Sequence, residues 1–235
     1  MGRVLTCREA LALLGATGAL LALGCSNATG TEDPGTSSCV VRPELTEGPY
    51  YVDEDLNRSD IRLDPSDGTV REGALLALTF NVSRVVSGAC AVLAGAVVDV
   101  WHCDALGLYS DVPDPGFDTV GKKYLRGYQV TDSNGVARFT TIYPGWYQGR
   151  AVHVHFKVRS AASATSVFEF TSQLFFNDEL TDQVHAVQPY AAKGQRTLRN
   201  SGDGIYNQGG SQLLPTATQT SEGYAATFAI ALENV

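Results

Sequence analysis

Two histidines separated by one residue, His153 and His155, stand in the run Val152-His153-Val154-His155-Phe156, and Tyr147 lies a few residues upstream. In an extended strand the side chains alternate with period two, so both imidazoles leave from one face and can reach one ion. Val152, Val154 and Phe156 then point the other way, into a core, which makes the pair part of a rigid element. A bare His-x-His is often a hydrogen-bonded structural pair, so the context has to decide. Tyr147 closes the turn Tyr143-Pro144-Gly145-Trp146-Tyr147, and Tyr109 follows the segment Trp101-His102-Cys103-Asp104-Ala105-Leu106-Gly107-Leu108. Either could present a phenol to the same ion, although a tyrosine alone reads as core or turn packing. The chain contains no Cys-x-x-Cys pair, no His-Glu-x-x-His helix and no EF-hand loop. Two phenolates with two imidazoles suit a ferric ion better than zinc, calcium or copper. Such an ion must lower the phenol pKa, as bound cations do to coordinated acids.

The elements that must place these residues read as strands. The 24 glycines, the single methionine and many short apolar runs bounded by Gly, Asp, Asn and Pro favour strands and turns over helices. Extended runs are expected near Leu75–Val86, Ala96–Cys103, Tyr128–Thr131, Ala137–Ile142, Val152–Val158, Phe168–Phe176 and Tyr224–Leu232, which together predict an all-β sandwich with long loops and little helix. Thr131-Asp132-Ser133-Asn134-Gly135 tolerates positive φ and predicts a hairpin. The polar stretch Pro189–Gln219 reads as surface loop with one short helix, and could wall a site. Trp101 and His102 are adjacent and so face opposite ways, one into the core and the other beside the site or on the surface. His102 is not taken as a ligand, and His185, in polar surroundings, is expected at the surface.

The chain has 235 residues, 44% of them apolar, enough for one good core. With 25 acidic against 17 basic side chains and no basic block, it offers no nucleic-acid surface. Arg3 and Arg8 precede an uncharged stretch, Ala10–Gly24, that is short for the roughly 20 residues a membrane helix needs and resembles a bacterial signal peptide over residues 1–25. Ala22-Leu23-Gly24-Cys25 resembles a lipoprotein cleavage site, though imperfectly, which makes Cys25 a candidate for acylation and a membrane tether. Residues 26–38 read as a flexible linker and residues 39–235 as the catalytic domain. Export, to the periplasm, the cell surface or the medium, fits the cysteines. Cys39, Cys90 and Cys103 remain in the body, allowing one disulfide and one spare thiol, with a pairing of Cys39 to one of the other two preferred. Asn27, Asn57 and Asn81 fit Asn-x-Ser/Thr, a pattern too short to carry a function.

At these residues the sequence resembles the intradiol ring-cleavage dioxygenases, which include the catechol 1,2-dioxygenases and protocatechuate 3,4-dioxygenases. The resemblance runs from about Thr46 to Asn177 and its parts occur in family order. They are Thr46-Glu47-Gly48-Pro49-Tyr50-Tyr51, then Gly95-Ala96-Val97-Val98-Asp99-Val100-Trp101-His102, then Tyr109, the Pro-Gly-Trp-Tyr to His-Val-His block, and Gln173. It implies Fe(III) held by Tyr109, Tyr147, His153 and His155, with Arg150 and Gln173 lining the active site and Tyr147 leaving the metal to take a substrate proton. Arg150 would stabilise developing negative charge and Gln173 would orient the ring. It also places Tyr50 and Tyr51 beside the metal pocket. The implied reaction opens a small aromatic diol with O2 to a muconate-type dicarboxylic acid.

The sequence departs from the cytoplasmic members in three ways. The loop between Tyr147 and His153 is compact, nothing matches the helical linker through which catechol enzymes dimerise, and a leader is present. These leave the diol and the oligomeric state open. The other readings are an exported β-sandwich binding module or inactive relative, with the histidines structural, and a zinc hydrolase, which would need a carboxylate or third imidazole on the same face.

Overall fold

The computed structural model describes residues 39–161, 164, 167–233 and 235, so the expected leader and linker lie outside the described residues. The strands are β1 (Leu75–Val86), β2 (Ala89–Val92), β3 (Val97–Trp101), β4 (Pro113–Asp114), β5 (Phe117–Asp118), β6 (Arg126–Val130), β7 (Val136–Ile142), β8 (His153–Arg159) and β9 (Glu169–Phe175). Helix α1 (Asp178–His185) follows, then four 3-10 turns between Tyr190 and Gln212, β10 (Thr216–Gln219) and β11 (Gly223–Leu232).

One sheet has the order β10-β11-β1-β2, with β7 also paired to β1, and the second has the order β6-β3-β8-β9. In β1 alternation puts Leu76, Leu78, Phe80 and Val82 inward. The ring of Phe80 lies 6.1 Å from Phe139 on β7 and 6.1 Å from Phe228 on β11, within its own sheet. Across the gap it lies 5.3 Å from Phe156 on β8. Those rings, with Val98, Val100, Val154, Val158 and Ile230, make the core between the sheets, and the fold is the all-β sandwich expected.

The seven expected runs all appear as strands, with bounds shifted by a residue or two. The expected hairpin at Thr131–Gly135 needs correction. The turn itself forms, with Gly135 at φ 73° and Asp132 Oδ1 accepting the Asn134 and Val136 N–H groups. The strands leaving it nevertheless enter different sheets, β6 pairing with β3 and β7 with β1. Turn chemistry fixes the local bend, whereas pairing is set by which apolar faces must meet. The α-helix also falls earlier than expected; the Pro189–Gln219 stretch holds 3-10 turns and, at its end, strand β10. Asn177 caps α1 by accepting the Leu180 N–H at 3.0 Å, and Asp178 and Glu179 favour its first turn. Only Leu180 and Val184 are strongly apolar in it, too few for a visible period.

Cys39 is bonded to Cys90, with Cα atoms 5.3 Å apart, and Cys103 is a buried free thiol. The bridge ties the first described residues to β2 across a sequence separation of 51. Replacing both cysteines by serine releases that loop, and denaturant unfolding should show a loss of about 3–4 kcal/mol.

Candidate metal centre and active site

Strand β8 is buried on both faces. Val154, Phe156 and Val158 enter the core, and His153, His155 and Lys157 point to the outer side of the second sheet. On the flanking strands Trp101 and Gln173 are in register with His155, so all three share that outer face. Trp101 stacks on the His155 ring at 5.0 Å and 9°. His102 takes the opposite direction. It is fully buried, its Nδ1 contacts the Cys103 carbonyl and its Nε2 meets Thr141 Oγ1 at 2.7 Å, which links the two sheets.

Two loops bring the phenols. Gly145 seats the Tyr143–Tyr147 turn directly on the segment before Tyr109, where a Cβ would overlap the carbonyl oxygens of Asp104 and Ala105. Its N–H bonds the Asp104 carbonyl at 3.1 Å, so the two loops are one packed unit. Tyr147 Oη then lies 3.2 Å and Tyr109 Oη 3.4 Å from His153 Nε2, and His155 Nε2 is 3.0 Å from the same atom. The structure therefore brings together all four predicted ligands. Tyr109, His153 and His155 are almost wholly buried, and Tyr147 is half-buried.

Whether these donors fit a metal can be judged from their protons. His153 Nδ1 donates to the Ala151 carbonyl at 2.7 Å, which leaves Nε2 with a lone pair aimed at the other three donors. Three neighbours and the Arg150 Nη1, at 3.4 Å, crowd around that lone pair, more than it can accept. His155 Nδ1 has no hydrogen-bond partner. Burial lowers His153 to about 3, with the Arg150 charge adding to the effect. Burial and the neighbouring His153 take His155 well below the usual imidazole value. Burial pushes both the Tyr109 and Tyr147 phenols up. Burial thus disfavours charge on all four donors, and a phenol and imidazole set of this kind fits a cation. Among the described residues no group of three or more His, Cys, Asp or Glu side chains is arranged to hold a metal. The carboxylate or third imidazole that a zinc hydrolase would need is not there, and the set is phenol and imidazole.

A model for the Dioxygenase family matches residues 46–203, which spans every one of these residues. The chain belongs to the intradiol ring-cleavage dioxygenase family. A curated chlorocatechol 1,2-dioxygenase of Pseudomonas putida is 36% identical over 118 residues, covering 42% of this chain and 43% of that protein. The chain thus spans under half the length of this curated relative. An intradiol ring-cleavage dioxygenase from Tetranychus urticae superposes with a TM-score of 0.70 at 27% identity, covering 84% of this chain and 96% of that one. The solved chlorocatechol 1,2-dioxygenase from Pseudomonas putida shares the fold, with a TM-score of 0.53 at 23% identity over 81% of this chain and 71% of that one.

The other predicted site residues of this family member also converge. Arg150 Nη2 donates to Gln173 Oε1, and Gln173 Nε2 donates to the Thr46 carbonyl at 2.7 Å. That bond begins a strap, Thr46–Tyr51, laid across the outer face. Lys157 holds Glu47 at 2.6 Å and Glu169 at 2.9 Å. Tyr50 stacks 4.7 Å from Tyr109 and donates to Asp114 at 2.8 Å, while Tyr51 packs on Trp101 at 4.8 Å. Tyr50 thus lies beside the donors, as expected, and Tyr51 one layer further, against Trp101 and Lys157.

Two features were not visible in the sequence. The first is the partner of Arg150, whose side chain is 15% exposed and whose Nε bonds Asp203 at 2.9 Å. Burial alone would raise the Asp203 carboxyl, but the Ala151 N–H and the Arg150 charge hold it below the usual range. No local pattern marks an acid 53 residues after its arginine. The expectation for His185 is overturned: it is 9% exposed, its Nε2 donates to the Pro144 carbonyl at 3.0 Å, and its ring stacks on Tyr190 at 5.0 Å. It lies on the inner face of α1, where the polar residues around it cover the outer face.

Gly48 has φ +74°, and a Cβ there would lie 3.2 Å from His155 Cε1. Gly48→Ala should cost about 1–2 kcal/mol in denaturant unfolding, from left-handed strain and from displacing the strap off the His155 ring.

Proposed function

We propose that the protein is an exported, non-haem Fe(III) intradiol dioxygenase that cleaves a catechol-type diol with O2 to a muconate-type dicarboxylic acid, both oxygen atoms entering the product. The observation that carries this reading is the convergence of Tyr109, Tyr147, His153 and His155 around one point, inside the segment matched by the family model. The names of the relatives, chlorocatechol and catechol 1,2-dioxygenases, support an aromatic ortho-diol as the substrate class. Bound Fe(III) would act as a Lewis acid, lowering the pKa of the diol oxygens and making the ring carbon reactive toward O2.

The chain supplies the rest. Tyr147 is the less buried phenol. Held as a phenolate by the bound ion, which lowers its pKa, it would take a diol proton at its oxygen on substrate entry and become a neutral phenol. Tyr109, 1% exposed with Tyr50 stacked upon it, stays fixed. Arg150 Nη1 faces the donors and meets negative charge as it grows on the substrate. Gln173, anchored to the Thr46 carbonyl, holds Arg150 and orients the ring.

Residues 1–25 serve as a signal peptide, Cys25 is the acylation site if the product is a lipoprotein, and residues 26–38 form the tether to the catalytic domain. The disulfide between Cys39 and Cys90 supports an oxidising destination.

The test is an anaerobic visible spectrum of the leaderless, iron-loaded protein beside its Tyr147→Phe variant, followed by addition of catechol. A tyrosinate-to-iron charge-transfer band that weakens in the variant and shifts with catechol is expected. A colourless protein without stoichiometric iron would overturn the reading in favour of a binding module or inactive relative.

A further inference from the structure

Asp203 takes no part in the donor set, yet its side chain is 1% exposed and both of its oxygens are fully engaged. Oδ1 accepts the backbone N–H groups of Ile205 at 2.7 Å and Tyr206 at 3.2 Å. Oδ2 accepts Arg150 Nε at 2.9 Å and the Ala151 N–H at 2.7 Å. One carboxylate therefore ties the 3-10 turn at Tyr206–Gln208 to the two residues that lead into the ligand strand.

The bonding around Arg150 gives this contact a direction. A guanidinium is planar, with its nitrogens in a fixed fork, so holding Nε and one terminal nitrogen determines where the other points. Asp203 holds Nε and Gln173 Oε1 holds Nη2. Nη1 is left facing His153 Nε2 at 3.4 Å, the point on which the four donors converge. Among the described residues Asp203 is the one acid ion-paired with Arg150. An exposed pair such as Arg138 with Asp132 can exchange its partner for water, whereas this one is enclosed.

We propose that Asp203 is a positioning residue of the active site, which through Arg150 aims the guanidinium at the reacting centre. Its catalytic consequence rests on the dioxygenase reading; its effect on Arg150 does not. Asp203→Asn tests it with little change in size. Each oxygen meets two N–H donors, so either orientation of the amide sets an NH2 against donors and breaks one pair of bonds.

Two readouts separate the questions. In the iron-free protein the Arg150 Nε–H resonance should exchange slowly in wild type and be shifted and exchange faster in Asp203→Asn, which removes the charge whichever way the amide turns. In the iron-loaded protein kcat should fall about 100-fold with KM changed less than about threefold, since a small misplacement is felt mainly in the transition state. Arg150→Gln combined with Asp203→Asn should be no slower than Arg150→Gln alone. An Nε–H with wild-type shift and exchange rate in Asp203→Asn, or losses that multiply in the double variant, would overturn the proposal. If Asp203→Asn does not fold, the same measurements go to Asp203→Glu, which keeps the charge on a longer arm. A shifted Nε–H with reduced kcat supports the role, and wild-type values refute it. A wild-type protein that turns over no diol but shows the Nε–H result would sink the dioxygenase reading and leave the positioning role standing.

Discussion

The two-residue alternation of β8, in a sheet covered on both sides, is the constraint on which the rest of the molecule depends. The seven residues of β8 supply three core side chains, Val154, Phe156 and Val158, and four polar side chains on the outer face, His153, His155, Lys157 and Arg159. The core side is closed by the first sheet through Phe80 and Phe228. The outer side is covered instead by the short β4-β5 pair, whose Phe117 packs with Trp101 and Tyr109, and by loops: the Thr46–Tyr51 strap, the segment leading to Tyr109, the Tyr143–Tyr147 turn and the stretch around Asp203. A slip of one residue would put Val154 and Phe156 under those loops and both imidazoles into the core, with no partner for either. Register and donor geometry are therefore a single requirement, met by pairing His155 with Trp101 on one side and Gln173 on the other.

What could be read without the structure follows from which signals are local. Alternation within one strand is local, and it disclosed β1, β8 and β11 and the shared face of His153 and His155. The phenols are a weaker case: nothing in the spacing of Tyr109 and Tyr147 places them beside one ion, and the order of linked motifs supplied that. The pairing of β6 and β7 was not legible at the Thr131–Gly135 turn, because a tight bend serves equally to continue one sheet or to cross to another. His185 and Asp203 were missed for a related reason. Their neighbours are polar, and each is buried by contact with a segment more than 40 residues away, His185 by Pro144 and Asp203 by Arg150. A short disulfide argument did reach Cys39, and the choice of Cys90 over Cys103 came only with the fold.

Electrostatics explains why the last of these contacts has to come from so far along the chain. The outer face of β8 carries two imidazoles and the cations of Lys157 and Arg159, the latter paired with Asp99 at 2.8 Å, and Arg150 stands just before the strand. None of these cations can be left bare in a covered site. Lys157 finds Glu47 on the strap and Glu169 on β9, both still in contact with solvent. Arg150 lies beside the donors, with Nη1 3.4 Å from His153 Nε2, and a carboxylate on that side would enter the donor set. The acid must approach from the far side of the guanidinium, where it neutralises the charge without entering the donor set. Only a loop returning over the end of the sheet can deliver it there, which is the path the chain takes after α1. Once Asp203 is in place its second oxygen is committed to the backbone of that same loop, so the segment that covers the site is also held by the residue it brings.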